Sequence, residues 1–90
     1  LFNAAGPCAD TAIPLAKASL ARGIHYLDVG GEWPVFEALM ELSDAAQASG
    51  VMVMPGLGLT IAASDCLMKR AVERWPDTVR LCLGISRAHA

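Results

Sequence analysis

Charge is what this sequence has least of. Charged residues make up 18% of its 90 residues, against 54% hydrophobic, whereas soluble domains usually carry roughly 25% charged. A small domain has much surface for its volume and should be more polar than average, not less. A short chain this apolar is expected to be an interior piece of something larger. Long apolar runs are absent as well. The stretches at 24–29 and 51–54 fall far short of the roughly 20 residues that a helix needs to cross a bilayer, so no membrane span is expected. The first residues do not read as a signal peptide: they carry no basic segment, and Asn3, Gly6, Pro7 and Asp10 interrupt any apolar core. There is no basic cluster and the net charge is −2, which argues against nucleic acid as a partner. Paired cysteines are lacking too. Cys8, Cys66 and Cys82 are odd in number and widely spaced, with no CxxC pair. Neither a disulfide framework nor a metal site follows from them. They are expected as reduced thiols of a cytoplasmic protein, and no basic neighbour in sequence marks one as a nucleophile.

What is present is an alternation. "LFNAAGP" (1–7) reads as the tail of a buried strand that runs into a Gly-Pro turn. Asp10 and Thr11 are candidate caps of a first helix, in which Pro14 is tolerable only near the first turn. Ala12, Ile13, Ala16 and Leu20 recur at helical spacing, and Gly23 is the expected stop. "IHYLDV" (24–29) is rich in strand formers and is followed by Gly30-Gly31. Pro34 suits the first turn of a second helix. That helix has an apolar face of Val35, Phe36, Leu39, Met40 and Leu42, and ends at Gly50. "VMVM" (51–54) is a continuous apolar run closed by Pro55-Gly56. A third helix is expected from Ser64 or Asp65, with Leu67, Met68, Ala71, Val72 and Trp75 facing inward and Pro76 ending it.

Strand–helix alternation with short strands, of which "VMVM" is apolar throughout, predicts an α/β chain with a doubly wound parallel sheet. Residues 24–29 and 51–54 should be parallel neighbours joined by a crossover helix. In "VRLCLGI" (79–85), Val79, Leu81, Leu83 and Ile85 alternate with more polar residues. This predicts a first strand of a second, antiparallel sheet, with the boundary at Pro76-Asp77. The expected domains are therefore 1–76 and 77–90.

In open α/β sheets, ligands bind just beyond the C-terminal ends of the strands. Three segments fall there: "NAAGP" (3–7), "GGEW" (30–33) and "GLGLTIAASD" (56–65). All are rich in small residues that admit close backbone approach, although every βα turn draws on Gly and Pro. Asn3 to Pro7 put an amide and bare backbone at this edge, with room for a flat ring or a ribose. Asp28 and Glu32 are candidates for an acid/base pair. Asp28 fits better as an acceptor for loop amides, and Glu32 as a charge at the positive end of the following helix. His25 reads as a surface residue, Trp75 as core, Trp33 as a candidate crevice wall, and Lys69, Arg70, Glu73 and Arg74 as a solvated face.

The combination of "LFNAAGP", "ARGIHYLDVGGE" and "VMVMPGLGL…SDCL" resembles the saccharopine dehydrogenase-like family of NAD(P)-dependent oxidoreductases, which includes saccharopine reductases and trans-acting enoyl reductases. The motifs stand in family order and spacing over nearly the whole chain. The resemblance implies the C-terminal half of a Rossmann domain, followed by the start of a substrate and dimerisation domain. The first half, with the phosphate-binding glycines, would lie upstream. It implies NAD(P) as cofactor, a small-molecule substrate, hydride transfer between the two, and a homo-oligomer. The implied cofactor-binding positions are Asn3, Ala4, Ala5, Gly6, Pro7, Gly31 and Glu32, with Asp28 also matching the motif. Gly58, Thr60 and Asp65 are implied at the substrate or domain hinge. The chain departs from the family at Thr60, where an Asp is common, and at Ala63, where a Pro is common; Asp65 matches. No catalytic residue and no metal ligand is indicated.

Two rivals stand beside this. "GLGLTIAA" is itself a candidate dinucleotide fingerprint, since it follows a strand and opens a helix; G-x-G-x-x-G fails at Ile61, while a looser variant with a later Ala still fits. A non-enzymatic α/β module that binds a small ligand or a partner would use the same edge.

Overall fold

In the computed structural model, which describes residues 1–85, the strands are short because so few residues separate their turns. β1 (Phe2–Asn3), β2 (Tyr26–Asp28) and β3 (Val53–Met54) form a three-stranded sheet in the order β1-β2-β3. All pairings are parallel: Phe2 lies beside Leu27, Asn3 beside Asp28, Tyr26 beside Val53 and Leu27 beside Met54. The expected parallel neighbours are thus present, and the described residues form a mixed α/β unit with four helices.

α1 (Cys8–Ala21) connects β1 to β2. It starts earlier than the sequence suggests, with Pro7 as its N-cap and no side-chain cap. Asp10 and Thr11 therefore lie inside the first turn rather than before it, and Pro14 lies in the helix interior. Pro14 has no N–H to offer the carbonyl of Asp10, but both residues are exposed, so water is available to that carbonyl. Gly23 follows the helix at φ 66°, the left-handed conformation in which glycine pays no Cβ penalty.

The single crossover helix expected between β2 and β3 is two helices, α2 (Trp33–Met40) and α3 (Ser43–Ser49). The break is a tightened turn. The Leu42 amide bonds the Leu39 carbonyl at 3.1 Å, and Leu42 sits at φ −85°, ψ 1°. Half-burying Leu42 and burying Ala46 requires this change of direction. Gly50 closes α3 at φ 64°, as its position predicts.

Side chains alternate across a strand, and here the alternation separates two faces. Tyr26, Asp28, Asn3 and Val53 point toward α1 and α2, where Ala12, Ala16, Tyr26, Val35 and Leu39 form the core. Alanines at positions 12 and 16 let the helix approach the bulky Tyr26 closely. The opposite face carries Phe2, Leu27, Val29, Met52 and Met54; apart from half-buried Leu27, these are exposed. α1, α2 and α3 all lie on one side, as right-handed crossovers require when strand order follows chain order.

α4 (Leu59–Arg74) begins after the short loop 55–58 that follows β3, and not at Ser64 or Asp65. None of its residues is buried. In the expected inner stripe, Met68 and Ala71 are half-buried, while Leu67, Val72 and Trp75 are exposed. Trp75 is therefore not core; its ring carries the Arg74 guanidinium at 5.5 Å from the centroid. Residues 79–85 form no regular secondary structure. The strand expected there needs a neighbour to pair with, and none of the described strands adjoins it.

Candidate functional site

Because the strands are parallel, the loops after β1, β2 and β3 emerge at one edge of the sheet. The first is the segment 4–7. Ala4, Ala5, Gly6 and Pro7 are all exposed. A Cβ at Gly6 would meet nothing within 4 Å, so the space above this backbone is open to a flat ring. The Gly6-Pro7 peptide is cis. Asn3 differs from its neighbours, for its side chain is buried and turned inward. Its Nδ2 donates to Thr11 Oγ1 at 3.1 Å and to the Tyr26 hydroxyl at 3.2 Å, and its Oδ1 accepts the Ala5 amide at 3.0 Å. Asn3 thus reaches the edge only through its backbone. Thr11, read from sequence as a cap, instead donates to the Ala5 carbonyl at 2.9 Å and ties the first loop to α1.

Asp28 organises the other two loops. It is fully buried, and its Oδ1 accepts the amides of Gly30 at 2.9 Å and Gly56 at 3.1 Å. Its Oδ2 accepts the Tyr26 hydroxyl at 2.9 Å, and its backbone carbonyl accepts the Leu57 amide at 2.7 Å. The reading of Asp28 as an acceptor for loop amides describes this arrangement. With both oxygens occupied and no exposed surface, it is not placed to exchange protons with a ligand alongside Glu32. Burial holds the Tyr26 phenol at a pKa of about 12, with Asn3 pulling it down and Asp28 pushing it up.

The loops approach too closely for side chains at several points. A Cβ at Gly30 would lie 3.0 Å from Cys8 Cβ, and one at Gly58 would lie 3.0 Å from the Val29 carbonyl oxygen. Gly56 sits at φ 79° with Phe36 at 3.0 Å from its Cβ position. Glu32 is the N-cap of α2, and its Oε2 accepts the Gly31 amide at 3.0 Å. Gly31 and Glu32 are exposed. Cys8 is buried, and burial, followed by the charges of Asp28 and Glu32, raises its thiol pKa; the thiolate needed of a nucleophile is disfavoured.

Of the third loop's residues, Gly58 is the N-cap of α4, while Thr60 and Asp65 are exposed along that helix. Asp65 lines a groove of about 670 Å³ together with Trp33, Phe36, Met40, Val53 and Ile61. Trp33 therefore lines this apolar groove, where it packs on Phe36 with ring centroids 6.4 Å apart. His25 is exposed, and its Nδ1 accepts the Met52 amide at 2.9 Å, which binds it to strand geometry. The sequence reading missed Tyr26 and Thr11. The signal for Tyr26 was its spacing: it stands two residues before Asp28 in a strand and so shares its face.

The chain matches no family model, and no solved structure matches it.

Proposed function

We propose that this chain supplies one side of an NAD(P)-binding crevice in an oxidoreductase similar to the saccharopine dehydrogenase-like enzymes. In this reading it is the C-terminal half of a Rossmann-like domain. The observation that carries the proposal is the edge itself: three parallel strands in chain order whose following loops all carry glycine, with Ala4, Ala5 and Gly6 of the first loop exposed. The open ground over Ala4, Ala5 and Gly6 fits a planar ring, and the resemblance of the three motifs adds the identity of that ring.

On this reading the open edge of β1 adjoins the point where strand order reverses, the place at which doubly wound sheets hold their ligands. Residues 3–7 then lie closest to the nicotinamide, with Gly31 and Glu32 beside them. Bound there, the nicotinamide would supply hydride exchange with a small-molecule substrate. This chain's residues would orient the ring and keep side chains out of its way. The pyrophosphate would rest on a glycine-rich turn encoded upstream, so the 90-residue chain alone should bind NAD(P) weakly or not at all. Homo-oligomerisation and a cytoplasmic location belong to the same proposal.

The test is calorimetric titration of the full-length protein with NADPH and NADH. Ala5→Leu should raise the Kd at least tenfold while the circular dichroism spectrum stays unchanged. Unchanged affinity in the folded variant removes this loop from the site.

A second reading draws support from the start of α4 at Leu59. "GLGLTIAA" does follow a strand and open a helix, which a phosphate-binding turn needs. Micromolar NAD(P) binding by the 90-residue chain alone would select that reading. A non-enzymatic ligand-binding module would use the same edge, and the apolar groove between α2, α3 and α4 is a further surface open to it.

A further inference from the structure

We propose that Tyr26 is a positioning residue that couples the three edge loops into one cooperative unit. The proposal rests on the preceding reading only for the ligand the edge would hold; the coupling itself does not depend on it.

The hydrogen bonds run in one direction, from the first loop to the carboxylate. The Ala5 amide donates to Asn3 Oδ1, which leaves the Asn3 amide group facing inward. Its Nδ2 donates to the Tyr26 oxygen, and the Tyr26 hydrogen goes to Asp28 Oδ2. Asp28 Oδ1 then receives the amides of the second and third loops at Gly30 and Gly56. No step can be reversed independently. A flipped Asn3 would turn an N–H toward the Ala5 amide, and a Tyr26 hydroxyl turned toward Asn3 would leave Asp28 Oδ2 without its donor. Beyond the strand ends, this phenol is the only hydrogen-bonded link, among the described residues, between the loop after β1 and the other two. Tyr26 and Asp28 are fully buried and Asn3 nearly so, so water does not compete for these bonds, and a chain of this kind in a low-dielectric interior reinforces itself. The consequence is that displacement of one loop by a ligand is felt by the other two.

Amide hydrogen exchange, followed by NMR on the protein without any ligand, tests this. Tyr26→Phe keeps the ring that packs on Ala12 and Ala16 and removes only the oxygen. The amides of Ala5, Gly30 and Gly56 should then exchange at least tenfold faster together, while those of Ala16 and Leu39 change less than threefold. Acceleration at Gly30 and Gly56 with Ala5 unchanged overturns the proposal, as does a uniform acceleration of every amide. If Tyr26→Phe does not fold, Thr11→Val decides. It removes one of the three hydrogen bonds that hold the Asn3 amide group, and should speed exchange at Gly56, which Thr11 does not touch, at least threefold; an unchanged Gly56 overturns the proposal. Failure of NAD(P) to bind would leave these exchange results standing, so the two readings fail separately.

Discussion

Asp28→Asn is the sharpest perturbation of the edge, because it changes charge and hydrogen-bonding capacity while keeping shape. The best pose leaves the asparagine oxygen on the amides of Gly30 and Gly56 and puts its NH₂ group against the Tyr26 hydroxyl. That oxygen already accepts from Asn3 Nδ2, so the phenol hydrogen loses its acceptor inside a fully buried cluster. An unsatisfied buried donor costs about 1–3 kcal/mol. The two amide bonds also fall from charge-assisted to neutral strength, which roughly halves them, while relief of a buried charge offsets part of the loss. The net is a destabilisation of about 2 kcal/mol, a large share of a stability of order 5–15 kcal/mol. For a domain of this size it lowers Tm by about 8–16 °C. Urea unfolding followed by circular dichroism at 222 nm measures it, with an unchanged m-value showing that the transition is the same. A loss below about 0.5 kcal/mol, the scatter of ordinary surface substitutions, would refute the view that the carboxylate holds the loops.

Gly56→Ala should destabilise by about 2 kcal/mol or more, since it meets both a left-handed backbone and the Phe36 ring at 3.0 Å. Gly50→Ala has a similar φ in open space and should cost only about 1 kcal/mol; paired thermal melts give the ranking. Iodoacetamide at pH 8, read by mass spectrometry, should label exposed Cys66 and Cys82 well before Cys8, whose thiol pKa is raised and which is buried. Tyr26 is the sole tyrosine, so absorbance at 295 nm follows it alone. The unfolded phenol ionises near about 10 and the folded one at about 12. Its contribution to stability is therefore full below pH ~10 and lost as pH rises through ~12. Tyr26→Phe should abolish that slope in a pH series of urea melts.

The parts of the fold legible in the sequence are those set by backbone chemistry. Gly23 and Gly50 end helices because they adopt positive φ there, and the apolar runs around Tyr26 and Val53 become parallel strands. The parts that were not legible depend on competition between neighbours. Ser64 and Asp65 look like a helix start, yet the helix begins at Leu59, where the close approach of Gly58 to the Val29 carbonyl fixes the exit from β3. The apolar stripe of α4 has helical period, but period alone does not supply a surface to cover it. Among candidate site residues, Ala4 to Pro7 stand exposed at the edge as their small size suggests. Asn3 was read as facing a ligand; that its amide turns inward is decided by Thr11 on the following helix and by Tyr26, which lies 23 residues away in sequence.

Strand order that equals chain order also sets a timetable. As the chain leaves the ribosome, β2 emerges when its only earlier partner, β1, is already present, and β3 in turn finds β2 waiting. Asn3, Tyr26 and the first oxygen of Asp28 can therefore join before residue 53 exists. The other oxygen of Asp28 gains the amide of Gly56 last, because residue 56 is the last of these groups to be translated. Domains fold as units during synthesis from the N-terminal side, and this sheet is laid out so that no strand has to wait for one translated after its neighbour.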